Sequence, residues 1–242
     1  MFRHFLEMSF CALSYGQREE QYLQCIERFK SNREVLNLYV QAFSQMVVDY
    51  EKGIPFSDHL GDYHMGLMSS KEAQSRGEFY TPMPVCEFMA EVTRSNKSDQ
   101  PITLHEPAAG SGRMVLASAK ALVKDGGSPM DMWVEAWDVG VLPFWMCFIN
   151  LSLWGIPARV VRGNTLSLKI FDEQFTATTF FRPPPQVNKE WAQKVNFMRQ
   201  LIRGEIPEAR LEPVKVQTPQ PTKAQPQKVE QPFLFGSSVP ES

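Results

Sequence analysis

The sequence predicts an α/β fold in which parallel strands alternate with helices, and three segments carry that prediction. Residues 102–106 form a short β-prone run, Ile-Thr-Leu-His-Glu, which leads through two glycines into a helical stretch with Met114, Val115, Leu116, Leu122 and Val123 on its apolar face. Residues 133–138, Trp-Val-Glu-Ala-Trp-Asp, make a second buried strand that ends in an acid, and an apolar helix follows at 142–153. A third strand falls at 158–162. Strands and helices in this alternating order build a parallel sheet with crossover helices.

The first joint reads His105-Glu106-Pro107-Ala108-Ala109-Gly110-Ser111-Gly112. Gly110 and Gly112 permit positive φ and let a ligand approach the main chain, while the first N–H groups of the new helix point into the same space. That geometry suits a nucleoside-bearing ligand; an ordinary tight βα turn is the other reading of the same glycines. The joint lacks the third glycine of G-x-G-x-x-G and the Gly-Lys-Ser/Thr ending of a P-loop, so it is neither of those phosphate cradles. An acid at the end of the second strand, Asp138 or Glu135, would accept hydrogen bonds from both hydroxyls of a ribose.

Asp58-His59-Leu60-Gly61-Asp62-Tyr63 and Gly77-Glu78-Phe79-Tyr80-Thr81-Pro82 precede this frame, and Gly163-Asn164-Thr165-Leu166 closes it. With the glycine joint, these segments resemble S-adenosylmethionine-dependent methyltransferases, and among them the adenine-N6 DNA methylases of restriction-modification systems and of phage and plasmid origin. The resemblance covers residues 56–166 and implies a Rossmann-like methyltransferase fold with S-adenosylmethionine as cofactor. It implies that Phe79, Tyr80, Thr81 and Pro82 pack over the methionine part of that cofactor. Glu106, Pro107, Ala108, Gly110, Ser111 and Gly112 would form the turn that receives it. Thr81 and Pro82 also read as a plain helix start, with Thr81 as N-cap and Pro82 in the first helical position. The family places its ribose-binding acid about a dozen residues before an Asn-Leu-x-Leu-x-Gly-Ile segment. Asn150-Leu151-Ser152-Leu153-Trp154-Gly155-Ile156 stands at that distance from Asp138, which selects Asp138 over Glu135. Where the family carries Gly-Asp-Ser/Thr-Leu, its acid accepts from the exocyclic amine of the cofactor's adenine. This chain has Asn164 there, and an amide oxygen can still accept that bond.

Adenine-N6 methylases hold the flipped target base between an Asn or Asp side chain and a proline carbonyl, with an aromatic ring stacked on it, in an Asn/Asp-Pro-Pro-Tyr/Phe motif. Those acceptors steer the nitrogen lone pair toward the sulfonium methyl and stabilise the positive charge that develops. The matching place here, after a strand expected at 175–181, reads Arg182-Pro183-Pro184-Pro185. Arg182 offers only donors and a positive charge, the reverse of what an ammonium-like transition state needs, and Pro185 cannot stack as Phe or Tyr does. The segment is read as a degenerate catalytic motif, which leaves the catalytic residues unassigned. Three prolines that end a strand and begin a linker are the alternative.

Toward the N-terminus, Tyr22, Cys25, Ile26, Phe29, Leu36, Tyr39, Phe43, Met46 and Val47 recur mostly at three- and four-residue steps, the mark of one long amphipathic helix or two. The stripe is read as a core-facing cap, with dimerisation as its other use. A helix is expected at 188–203, with Trp191, Val195, Met198 and Ile202 on one face. From 205 to 230 the chain is rich in Pro, Gln, Lys and Glu, the composition of an extended, disordered linker. The expected organisation is a helical region at 1–55, a methyltransferase-like domain at 56–186, a helix at 187–204 and a disordered tail at 205–242. Little globular chain follows the prolines, so the sheet is expected to be incomplete, with later strands and a target-recognition domain supplied by another polypeptide. The tail carries Gln231-Pro232-Phe233-Leu234-Phe235, which resembles the Gln-x-x-Leu-Phe motif that docks bacterial replication proteins on the sliding clamp. Gln231, Leu234 and Phe235 would make those contacts, or the cluster would pack on its own domain.

With 25 Lys and Arg against 27 Asp and Glu, the formal net charge is −2. Affinity for nucleic acid rests largely on neutralised phosphates, so the chain alone is expected to bind DNA weakly. Arg182, Lys189, Lys194, Arg199 and Arg203 make a modest basic strip or a solvated helix face. Cys11, Cys25, Cys86 and Cys147 lack Cys-x-x-Cys spacing, and His4, His59, His64 and His105 share no ligand spacing. No metal is therefore expected, and reduced thiols fit a cytoplasmic protein. No run is long enough to span a membrane, and the apolar start at 2–13 lacks the build of a signal peptide. The expected function is an S-adenosylmethionine-binding protein related to the adenine-N6 DNA methylases and weak or inactive alone. An active DNA methylase, working with a partner subunit, is the alternative.

Overall fold

Leu6 and Phe10 stand one helical turn apart, and their burial draws the N-terminal segment into the core as α1 (Phe2–Leu13). The computed structural model describes residues 1–68, 80–93 and 102–181. The chain divides into two units, Met1–Gly204 and Glu205–Ser242, and every described residue belongs to the first. Phe79, the Arg182-Pro183-Pro184-Pro185 segment, the helix expected at 188–203 and the tail with Gln231, Leu234 and Phe235 lie outside the described residues.

The amphipathic stripe is two helices, α2 (Glu19–Arg28) and α3 (Arg33–Lys52), because the Asn32 side chain starts a new one by accepting the Val35 amide at 3.3 Å. Cys25, Tyr39 and Met46 of the stripe are buried, and Tyr22, Ile26, Phe29, Leu36 and Phe43 are partly buried against the same clusters. Val47 is exposed. The stripe thus packs inward as core. Among the described residues, two further helices, α4 (His59–Leu67) and α5 (Met83–Thr93), come before the sheet. The last of these begins one residue later than expected. The Pro82 carbonyl accepts the Val85 and Cys86 amides, so Pro82, not Thr81, holds the capping position.

The sheet has the order β1-β2-β3-β4, from β1 (Ile102–Glu106), β2 (Met132–Asp138), β3 (Ala158–Asn164) and β4 (Lys169–Phe175). The first three strands are parallel, joined by the crossover helices α6 (Arg113–Lys124) and α7 (Val141–Leu153), as the βαβ reading predicts. Helix α7 is apolar on nearly every face and is correspondingly buried, with the sheet on one side and α1 on the other. The Phe10 ring lies 5.2 Å from Phe144 and 5.0 Å from Phe148. Met132, Val134, Ala136, Ala158 and Val160 of the strands complete this core with Val115 and Leu116 of α6. Cys86 and Ala90 of α5 meet Ala117 and Ala121 of α6, and small side chains let the two helices approach closely.

The last strand differs from expectation. A strand was predicted at 175–181, but β4 ends at Phe175 and residues Ala177–Phe180 form a 3₁₀ turn. Two local devices explain the shift. Asn164 Oδ1 accepts the Ser167 amide at 3.0 Å and Leu168 takes φ +55°, which folds the chain into a hairpin, so β4 runs antiparallel to β3. Thr176 then stops the strand, because its hydroxyl donates to the Ile156 carbonyl at 2.8 Å and accepts the Ala158 amide at 2.9 Å. The Arg182-Pro183-Pro184-Pro185 segment therefore follows a 3₁₀ turn, not a strand end. No described helix is long and apolar enough to cross a membrane.

Candidate functional site

The glycine turn closes the gap between β1 and α6 at the C-terminal ends of the parallel strands, where open α/β sheets place their ligands. Gly110 has φ +56° and Gly112 φ +95°. A Cβ on Gly110 would lie 2.9 Å from the Tyr80 ring, and one on Gly112 would lie 3.3 Å from Cys147 Sγ, so both positions favour glycine for conformation and Gly110 also for space. The Ala109 amide donates to the Trp137 carbonyl at 2.8 Å, which fixes the turn to the end of β2.

Of the two acids on β2, Glu135 is taken up by Trp137 Nε1 at 2.8 Å and by Arg159 at 3.3 Å. Asp138 instead reaches the turn. Its Oδ2 accepts the Gly110 amide at 2.9 Å, and its Oδ1 accepts the Gly140 amide at 2.8 Å. Burial pushes the Asp138 carboxyl above its ordinary value of 3.8, against the pull of the Gly140, Gly110 and Val139 amides, which favour the charged form.

Glu106 ends β1 and accepts the Ala108 amide at 3.2 Å; Pro107 and Ala108 are exposed beside it. Asn164 ends β3 and is exposed. Thr165 donates to the Pro107 carbonyl at 2.7 Å, which ties that end to the turn. Acceptors from three adjacent strands thus stand in a row along one edge of the turn. Tyr80 covers the other side, its ring against Gly110 and its hydroxyl 3.4 Å from His64 Nδ1. Thr81 and Pro82 continue from it into α5, with the Thr81 carbonyl accepting Arg113 Nη1 at 3.3 Å. Ser111 is oriented differently from its neighbours. Its hydroxyl points inward and donates to Asp58 Oδ2 at 2.5 Å, leaving only its main chain at the turn.

Behind the turn lies a buried polar network that joins Asp58, Ser111, Arg113 and Asn150. The Asp58 carboxylate, fully buried, accepts from the Gly61 amide, Asn150 Nδ2, Ser111 Oγ and Arg113 Nε. Asn150 also donates to the Ser111 carbonyl at 2.8 Å and accepts from the Tyr50 hydroxyl. Arg113 reaches on to Asp62. Two sequence signals point to it: Asn150 is the one amide in α7, whose only other polar side chain is Ser152, and Arg113 brings a charge to the first turn of a helix that packs on the sheet.

The chain matches the family model for N-6 DNA Methylase over residues 56–209. It belongs to the N-6 DNA methylase family. The fold is accordingly the Rossmann-like one of S-adenosylmethionine-dependent methyltransferases, with four strands among the described residues and a helical N-terminal region. Among solved structures it is similar to a protein described as a type I restriction enzyme modification subunit from Vibrio vulnificus, at 26% identity and TM-score 0.35 over 44% of this chain and 23% of that one. A methyltransferase subunit of a type I restriction-modification system from Streptococcus thermophilus is 23% identical, with TM-score 0.32 over 55% of this chain and 26% of that one. A protein from Listeria monocytogenes described as a class I S-adenosylmethionine-dependent methyltransferase is 14% identical, with TM-score 0.35 over 63% and 43% of the two chains. The chain thus spans about a quarter of the length of the first two and 43% of the third. No curated protein matches it significantly.

Proposed function

We propose that this N-6 DNA methylase family member binds S-adenosylmethionine at the glycine turn and is, by itself, weak or inactive as a methylase. The observation that carries the binding reading is Asp138, a carboxylate at the end of β2 that faces the Gly110 amide across the crevice. Its remaining lone pairs suit the two ribose hydroxyls, and the second lone pair of the exposed Asn164 amide oxygen, which also accepts the Ser167 amide, suits an adenine amine. Tyr80 supplies an apolar face over the turn, and the resemblance gives Phe79, Thr81 and Pro82 the methionine side with it. Glu106, Pro107, Ala108, Gly110, Ser111 and Gly112 present the main chain. When bound, the cofactor would supply an electrophilic methyl on a sulfonium.

The test is calorimetric titration of the full chain with S-adenosylmethionine, repeated with Asp138→Ala. Wild-type binding in the micromolar range should weaken about a hundredfold, as expected for losing two hydrogen bonds to a charged acceptor. Flat titration of the wild type would end the reading. A pH series adds a signature. Because the folded pKa of Asp138 is raised, its contribution to stability is fully present below 3.8 and declines as pH rises through the folded value. Cofactor affinity runs the opposite way, since the charged carboxylate accepts from both ribose hydroxyls whereas protonation turns one of its oxygens into a donor. On acidification, binding should fall at a higher pH than for an ordinary carboxylate, and Asp138→Asn should remove that dependence.

Weak turnover is proposed because Arg182 and Pro185 replace the acceptor and the stacking ring of the family's motif. Family membership favours a second reading, an active adenine methylase that works with a partner subunit and DNA. Transfer of labelled methyl to DNA separates the two. Wild type is expected to show none above background, and the double variant Arg182→Asn, Pro185→Phe to gain about a hundredfold, the usual size for restoring one transition-state acceptor. Robust wild-type transfer, alone or with an added partner, would favour the second reading.

A further inference from the structure

We propose that Arg113 is a positioning residue for the cofactor turn: it holds the Tyr80 ring over Gly110, with Asp58 as its anchor. This deepens the S-adenosylmethionine reading and rests on it. Arg113 is 8% exposed, and its guanidinium spends each edge on a different element. Nε donates to Asp58 Oδ2 at 2.6 Å, Nη2 to Asp62, and Nη1 to the Thr81 carbonyl at 3.3 Å. Its Cζ lies 5.5 Å from the centre of the Tyr80 ring, within cation–π range. The same ring comes within 2.9 Å of the site a Gly110 Cβ would occupy, so the ring fixes the outer wall of the turn whose amide faces Asp138.

The three anchors come from before α4, within α4 and the entry to α5, and only a planar fork with several donors reaches all of them at once. Lysine keeps the charge beside Asp58 but has one nitrogen. A purely structural staple would lose stability on this change without any particular effect at Tyr80. A positioning residue would loosen the turn, and would do so through the ring.

The experiment uses the full chain as wild type, Arg113→Lys, Tyr80→Leu and the double variant, read by S-adenosylmethionine titration and by amide hydrogen exchange without ligand. Arg113→Lys should weaken binding about tenfold in the wild-type background and about twofold or less once Tyr80 is Leu, the non-additivity expected of coupled residues. Exchange at the Ala109, Gly110 and Gly112 amides should quicken about tenfold while β2 and β3 amides stay unchanged. Equal losses in both backgrounds, or exchange that is unchanged at the turn or raised everywhere alike, would overturn the proposal. A wild type that does not bind overturns the cofactor reading instead, and hydrogen exchange still decides the positioning role. If Arg113→Lys does not fold, Tyr80→Leu alone decides, by whether it releases the same turn amides.

Discussion

Asp58→Ala should lower the stability of the protein by about 3 kcal/mol, the lower end of the range for breaking a buried ion pair by removing one partner. One carboxylate with no exposed surface gathers four donors from three helices and the glycine turn, and each donor is buried or nearly so. Without it, Ser111, Asn150 and the Arg113 guanidinium lose an acceptor in a place water does not reach, and each unsatisfied group adds a desolvation penalty. The lower end applies because Asp62, 69% exposed at its side chain, still meets Arg113. Urea unfolding of wild type and variant measures the difference. A loss under about 1 kcal/mol would mean that water or Asp62 takes over the site, and that the network is no keystone.

Gly61→Ala and Gly66→Ala should shift stability in opposite directions, although both glycines lie inside α4. Alanine in place of a helical glycine ordinarily stabilises by about 0.5–1 kcal/mol, through reduced backbone entropy in the unfolded chain. Gly66 has open space around it, so that gain should appear there in full. At Gly61 a Cβ would fall 1.9 Å from Asp58 Oδ2 and 2.6 Å from Ser111 Oγ, distances no real contact tolerates. Relief would require moving the carboxylate that holds Arg113 and Asn150, and such overpacking costs about 1–3 kcal/mol. Thermal or urea unfolding of the two variants side by side gives the answer. If Gly61→Ala stabilised as much as Gly66→Ala, the close approach of α4 to the turn would be disproved.

Much of the frame was legible because it obeys short-range rules. Three β-prone runs, two apolar helices between them and glycines at the first joint predicted the parallel sheet and the placement of the turn. The choice of Asp138 over Glu135 rested on spacing within the family, and the structure places Asp138 against Gly110 while Glu135 is held by Trp137 and Arg159. The end of the sheet was not legible. Residues 175–181 have the β-branched and aromatic composition of a strand, yet the hairpin at Asn164 and the side chain of Thr176 set where β4 runs and where it stops.

What the sequence by itself determined was therefore local: which segments are strands or helices, where the chain must turn with positive φ, and which acid terminates the second strand. What only the tertiary structure decided was the meaning of its buried polar residues. Asp58 meets Ser111, Arg113 and Asn150 across separations of 53, 55 and 92 positions. Propensity and periodicity reach only a few residues along the chain, whereas the burial of a charge and the partners that satisfy it arise when distant elements pack together.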